Sequence, residues 1–146
     1  MKRVFSFLLQ MFPTQTVYAH CDVPCGIYDP KAAQIAAATV LKMVEKIEAL
    51  PKENPSVNDR NAFVRMVWTK EEHARKCKEE ILILWTDYFK PEHLSQFPNL
   101  HETFWKAAKL CSKNKQSVDM QTAQELVKAV DEIAGIFQQT KKAAVK

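Results

Sequence analysis

"DPKAAQIAAATVLKMVEKIEALP", residues 29–51, carries a helix with both of its ends marked. Asp29 offers a side-chain oxygen to the free amides of a first turn, and Pro30 sits at the first helical position, where a missing N–H costs nothing. The body is rich in alanine, the best helix former, and Pro51 stops it. Working outward, the polar, twice proline-broken "PKENPSVNDRN" at 51–61 is a loop. A longer helix then runs from about Asn58 to Phe89, with Phe63, Val67, Ala74, Cys77, Ile81, Leu84 and Tyr88 spaced by threes, fours and a seven on a core-facing stripe. Pro91 ends it. "PEHLSQFP" at 91–98 turns the chain into a third helix whose buried face is expected at Leu100, Phe104, Ala108 and Cys111. Asp119 is placed to cap a fourth, in which Ala123, Leu126, Val127, Val130, Ile133, Ala134 and Phe137 recur at helical spacing before the basic "KKAAVK". There are two glycines in the chain and no alternating strand pattern. The fold class expected is all-α, an antiparallel four-helix bundle over residues 31–142, with a basic tail at 143–146.

Composition sets outer limits. A chain of 146 residues, 47% hydrophobic and 26% charged, builds one domain with a real core. Of the formal charge of +4, two units belong to Lys2 and Arg3, and the +2 left from His20 onward is too mild to argue for nucleic acid. No apolar run approaches the ~18 residues needed to cross a bilayer. Four cysteines, Cys21, Cys25, Cys77 and Cys111, are too few and too uneven for a disulfide scaffold. Cys77 and Cys111 lie on core stripes and read as small core residues. His93 and His101 read as surface or capping histidines.

"HCDVPCGIYDP", residues 20–30, does not belong to the bundle. Pro24 and Gly26 break any helix there, so Cys21 and Cys25 lie on a tight loop that lets their sulfurs converge. One reading is a local disulfide or an unremarkable thiol pair, since a bare C-x-x-x-C is not a zinc signature. The other follows from what precedes it. "MKRVFSFLLQMFPTQTVYA" has a basic start, the short apolar run "VFSFLL", a turn at Pro13, and Val17 and Ala19 placed as a signal peptidase wants them. If residues 1–19 are a leader that is removed, His20 becomes the first residue. The segment then offers an α-amine, the Cys21 backbone amide, two thiolates and an imidazole. An amine, an amidate and two thiolates make a planar N2S2 set, which favours Ni(II) or Cu(II) over zinc.

The segment resembles the nickel hook of the nickel-containing superoxide dismutases, of the form H-C-D-x-P-C-G-x-Y-D-P. "LWTDYFKPEHLSQFPNLH" at 84–101 is similar to the same family's second segment, and the resemblance extends over residues 20–142. It implies an enzyme that disproportionates superoxide to O2 and H2O2 by Ni(III)/Ni(II) cycling, with one nickel per subunit. The implied metal ligands are the His20 amine, the Cys21 amide and sulfur and the Cys25 sulfur in the plane, with the His20 imidazole axial. Two thiolates and an amidate supply the electron density that brings the nickel couple down to where it can alternate. Tyr28 and Tyr88 match two gating tyrosines, Asp22 and Pro24 shape the hook, and Lys90 matches a lysine near it, where a cation attracts an anionic substrate. The resemblance also implies a homohexamer and a leader-processing peptidase. The compartment expected is the cytoplasm, with export through the leader as the alternative.

The chain departs from the family's best-known branch at the groups that orient the axial imidazole. A carboxylate on the first helix and an arginine on the second fall at Ala36 and His73 here. Either His73, with a partner such as Glu72, takes over that role, or the axial bond is looser.

Overall fold

The structure is a computed structural model that describes residues 27–144. The expected leader, the hook residues His20, Cys21, Asp22, Pro24 and Cys25, and the last two residues of the tail lie outside the described residues. Among the described residues four α-helices form the bundle: α1 (Lys31–Glu48), α2 (Val57–Ile83), α3 (Leu100–Gln116) and α4 (Met120–Ala144). Helix α1 packs against α2 and α4, and α3 closes the ring against the same two neighbours. No strand occurs among the described residues, and no helix there is long and apolar enough to cross a membrane.

Helix α1 begins one residue later than its sequence suggests, with Pro30 rather than Asp29 at the N-cap, yet Asp29 still serves its first turn. The Asp29 carboxylate accepts a hydrogen bond from the Lys31 amide at 2.8 Å, while the Pro30 carbonyl takes the Gln34 amide at 3.0 Å. Its buried face is Ala33, Ala36, Ala37, Val40, Val44 and Ile47, small residues that let neighbouring helices approach closely. Helix α2 opens with a capping box, in which the Ser56 hydroxyl oxygen takes the Asp59 amide at 3.1 Å and the Asp59 carboxylate takes the Ser56 amide at 2.8 Å. That embrace holds the Asp59 carboxyl below its ordinary range. Asp119 caps α4 as expected, taking the Thr122 amide at 2.7 Å, and Ala123, Leu126, Val130, Ile133, Ala134 and Phe137 are buried along it, with Val127 half-buried.

Three further expectations need correction. Helix α2 does not remain α-helical to Phe89: its regular turns end at Ile83, and Leu84–Tyr88 form a π-helical turn closed by the Phe89 amide on the Leu84 carbonyl at 3.1 Å. Nor is the stripe of α2 buried from its start. Phe63 is 45% exposed and Val67 half-buried, because α2 is nine residues longer than α1 and its first turns lie against the α1–α2 connection rather than under α3. From Ala74 through Cys77, Ile81 and Leu84 the stripe is buried as expected. In α3 the fully buried alanine is Ala107, with Ala108 half-buried beside it, while Leu100, Phe104 and Cys111 face the core.

Lys70 is the largest fully buried side chain, at 1% exposure. Its ammonium has three protons and donates to three carbonyls at the end of α3: Asn114, Lys115 at 3.4 Å and Ser117 at 3.1 Å. It ties α2 to the C-terminus of α3, where carbonyls lack helical partners and the helix dipole favours a cation. Burial pushes its ammonium below the ordinary lysine value, with Glu71 opposing. Lys70→Met keeps most of the stem and removes every donor. It is expected to cost about 3 kcal/mol, seen as a lower urea midpoint at unchanged slope. A midpoint equal to the parent's would mean that water replaces the ammonium on those carbonyls.

Cys77 and Cys111 are free and fully buried across the α2–α3 contact. The Cys111 thiol against it, and then burial, push the Cys77 thiol far above its ordinary value, so it is an inert core thiol at neutral pH.

Candidate metal centre

The chain enters the described structure at Ile27, and the next residue is already in the core's outer layer. Tyr28 is half-buried and its ring stands 5.6 Å from that of Tyr88, tilted by 57°. The two expected gating tyrosines, sixty residues apart in sequence, are therefore side by side at the end of the bundle where the hook joins it. The π-helical turn is what brings Tyr88 there. The widened turn lets Leu84 and Phe89 both be buried while Tyr88 lies over Phe137 at 4.5 Å, against Phe89 at 5.0 Å and stacked on His93 at 5.9 Å. Such turns recur at functional sites because they re-aim side chains that a regular helix would place elsewhere.

Lys90 follows at once. It is exposed and extended, as the residue before a proline must be, at φ −121° and ψ 163°. Its amide donates to His93 Nδ1 at 3.1 Å and its carbonyl accepts the His93 amide at 3.0 Å. Because Nδ1 accepts, the proton of a neutral His93 ring resides on Nε2. His93 is thus the cap of the short 3-10 helix Pro91–Ser95 and a stacking partner of Tyr88. His101 takes the Trp85 indole N–H at 2.8 Å on Nδ1, while the Trp85 ring stacks on Phe104. Both histidines have structural work, as their sequence positions suggested.

The positions that depart from the family pattern can be placed. Ala36 is 1% exposed in the core face of α1 and offers only a methyl group. His73 is half-buried, and its Nδ1 lies 2.9 Å from the Thr69 carbonyl one turn back on the same helix. The main partner of Glu72 is not His73. Its carboxylate grips Arg75, which lowers its affinity for protons. The imidazole of His20, which both alternatives concern, lies outside the described residues.

Sequence reading missed the last turn of α4. Thr140 is 3% exposed and its Oγ1 lies 2.8 Å from the Tyr88 hydroxyl. Lys141 Nζ donates to the Tyr28 carbonyl at 3.2 Å and sits 4.7 Å over the Phe137 ring. The one available signal was that Thr140 falls three residues after Phe137, on the buried face of α4.

Among the described residues no cluster of histidine, cysteine and carboxylate could hold a metal. The donors expected from the sequence, in residues 20–25, lie outside the described residues; two thiolates with nitrogen donors beside them are a set whose chemistry would fit nickel.

The bundle and the donor-rich segment leading into it define a class of small helical metalloproteins. The family model described as nickel-containing superoxide dismutase matches residues 15–141. The chain is 40% identical over 132 residues to a superoxide dismutase (Ni) of Streptomyces seoulensis, spanning 90% of this chain and 95% of that protein. It is 38% identical over 131 residues to its counterpart in Streptomyces coelicolor, over the same shares. A crystal structure of nickel-containing superoxide dismutase, with nickel ligation of the oxidized state, superposes with a TM-score of 0.75 at 38% identity, covering 84% of this chain and 99% of that one. The chain belongs to the nickel-containing superoxide dismutase family.

Proposed function

We infer that this chain disproportionates superoxide to O2 and H2O2 as a nickel enzyme working from His20 onward. The observation that carries the reading is the donor set of residues 20–25 leading directly into the Tyr28–Tyr88 pair, in a chain of this family. Nickel, when bound, supplies the one-electron couple that accepts an electron from one superoxide and returns it to the next.

The chain's own residues hold and guard that group. His20 contributes its α-amine and imidazole, Cys21 its amide nitrogen and sulfur, and Cys25 its sulfur, while Asp22 and Pro24 set the shape of the loop between them. Tyr28 and Tyr88 narrow the approach, so that small anions enter and larger ones do not. Narrow access also protects the thiolates, which peroxide would otherwise carry up the oxidation ladder. Lys90 and Lys141 place two cations near this end, Lys141 fixed on the Tyr28 carbonyl and Lys90 exposed, and both favour arrival of an anion.

Residues 1–19 are read as a leader that a peptidase removes, and the working compartment as the cytoplasm. The assembly is read as a homohexamer. Exposed Ile35, Val57, Val64, Trp68 and Trp105 favour association, since large apolar side chains in water gain by being covered. Light scattering on the active protein is expected to give six subunits, and a fully active monomer would refute that reading.

The deciding experiment is nickel content and superoxide removal measured on protein that begins at His20. One nickel per chain with dismutase activity is the expected result. Nickel without turnover would make the chain a carrier, and no nickel would make the Cys21–Cys25 pair a plain dithiol or disulfide.

A further inference from the structure

The last turn of α4 contacts both tyrosines of the proposed gate, and one hydrogen bond there has a fixed direction. Thr140 Oγ1 donates to the Phe137 carbonyl at 2.8 Å, and a threonine hydroxyl has a single proton. The same oxygen lies 2.8 Å from the Tyr88 hydroxyl. With its proton committed to the helix, Thr140 can only accept, so Tyr88 donates. Thr140 is 3% exposed, which leaves little water to compete for either bond. The Tyr88 ring is further held by Phe137 at 4.5 Å and His93 at 5.9 Å, neither of which offers its hydroxyl an acceptor.

We propose that Thr140 is a positioning residue of the enzyme: it takes the Tyr88 phenol proton into α4 and so fixes the Tyr88 ring against Tyr28 as a wall of the access route. On this assignment the Tyr88 proton is directed into the bundle rather than at the incoming anion. Tyr88 is then a fixed boundary of the route. A buried threonine hydroxyl on the last helix of the chain thereby sets how wide the opening is. The proposal deepens the gate reading of Tyr88 and rests on it.

The test uses the mature chain with Thr140→Val, which keeps the shape and loses the acceptor, and Thr140→Ser, which keeps the hydroxyl. Ultraviolet resonance Raman of the nickel-free protein, with Tyr88→Phe as the subtraction control, reads whether the Tyr88 hydroxyl donates. Thr140→Val is expected to lose the donor signature and Thr140→Ser to retain it. In the nickel-loaded protein, azide serves as an anion probe of the opening. Thr140→Val is expected to lower the azide inhibition constant by at least about threefold, with Thr140→Ser close to the parent. In the Tyr88→Phe background, where no phenol remains to hold, adding Thr140→Val is expected to change nothing further. An unchanged Raman signature, or an equal azide effect in both backgrounds, would overturn the assignment of Thr140. An azide constant that Tyr88→Phe itself leaves unchanged would instead overturn the gate reading, and the assignment with it. If Thr140→Val does not fold, Thr140→Ser decides, since loss of the donor signature there would show that the methyl group, not the hydroxyl, is what matters.

Discussion

Replacing either Cys21 or Cys25 by serine is expected to remove nickel from the protein and dismutase activity with it. A structural zinc held by four ligands gains ~10–16 kcal/mol on binding, so one ligand is worth about 3 kcal/mol, or about two orders of magnitude in affinity. Activity falls further than affinity. A serine hydroxyl is not deprotonated near neutral pH and is a far poorer electron donor than a thiolate, so whatever nickel is forced in at high concentration no longer has a couple placed between the two half-reactions. The measurement is nickel per chain after dialysis, together with superoxide removal by the same sample. Cys77→Ala and Cys111→Ala are the controls. Both thiols are fully buried in the α2–α3 contact, so these changes lower stability and leave nickel content as it was. If a core cysteine abolished nickel while Cys21→Ser did not, the donor assignment would be wrong.

The sequence makes the helices and the donors legible for different reasons. Helix α1 is readable because local signals agree: alanine propensity, a carboxylate cap and two prolines all point to the same limits, and the Asp29–Lys31 bond at 2.8 Å is the result. Helix α4 is readable because its apolar stripe keeps helical spacing through to Phe137. The proposed hook is readable as chemistry because its expected donors, His20, Cys21 and Cys25, fall within six residues of one another, so no folding is needed to see them as neighbours. Features made by contacts across the fold are not readable in this way. The π-helical turn at Leu84–Tyr88 has no glycine or proline inside it to announce it. It is decided by burying Leu84 and Phe89 together, which is a property of the packed bundle. Phe63 keeps the helical spacing of the stripe yet is exposed, because periodicity reports which face a residue is on and not whether another helix covers that face. Thr140 is invisible for the same reason. Its partner is fifty-two residues away, and a threonine in a helix gives no sign of what it touches.

The second large effect concerns the first residue. Of three nickel-loaded proteins, one beginning at His20, one with a single alanine added before it and one retaining residues 1–19, only the first is expected to be fully active, with the others lower by about a hundredfold or more. A free α-amine has a reference pKa of ~7.7–8.0, so near neutral pH it gives up its proton to a metal at small cost, whereas a peptide amide at that position resists deprotonation far more. Removal of residues 1–19 would therefore create a ligand. It would also put that amine on the same residue as an imidazole, so that His20 alone could supply two of the nitrogen donors. One added alanine converts the His20 amine to an amide, sets a new amine one residue further out and pushes backbone into the face where the imidazole must bind. The thiolates of Cys21 and Cys25 are untouched by the extension, so the extended proteins are expected to retain some nickel, more weakly and in a different donor set. That separates this prediction from the cysteine one: the cysteine variants lose metal, while the extended chains lose turnover out of proportion to metal. The readouts are nickel per chain, the visible thiolate-to-nickel absorption and superoxide removal. Equal activity per bound nickel in all three would eliminate the amine as a ligand and, with it, the need for processing at Ala19–His20.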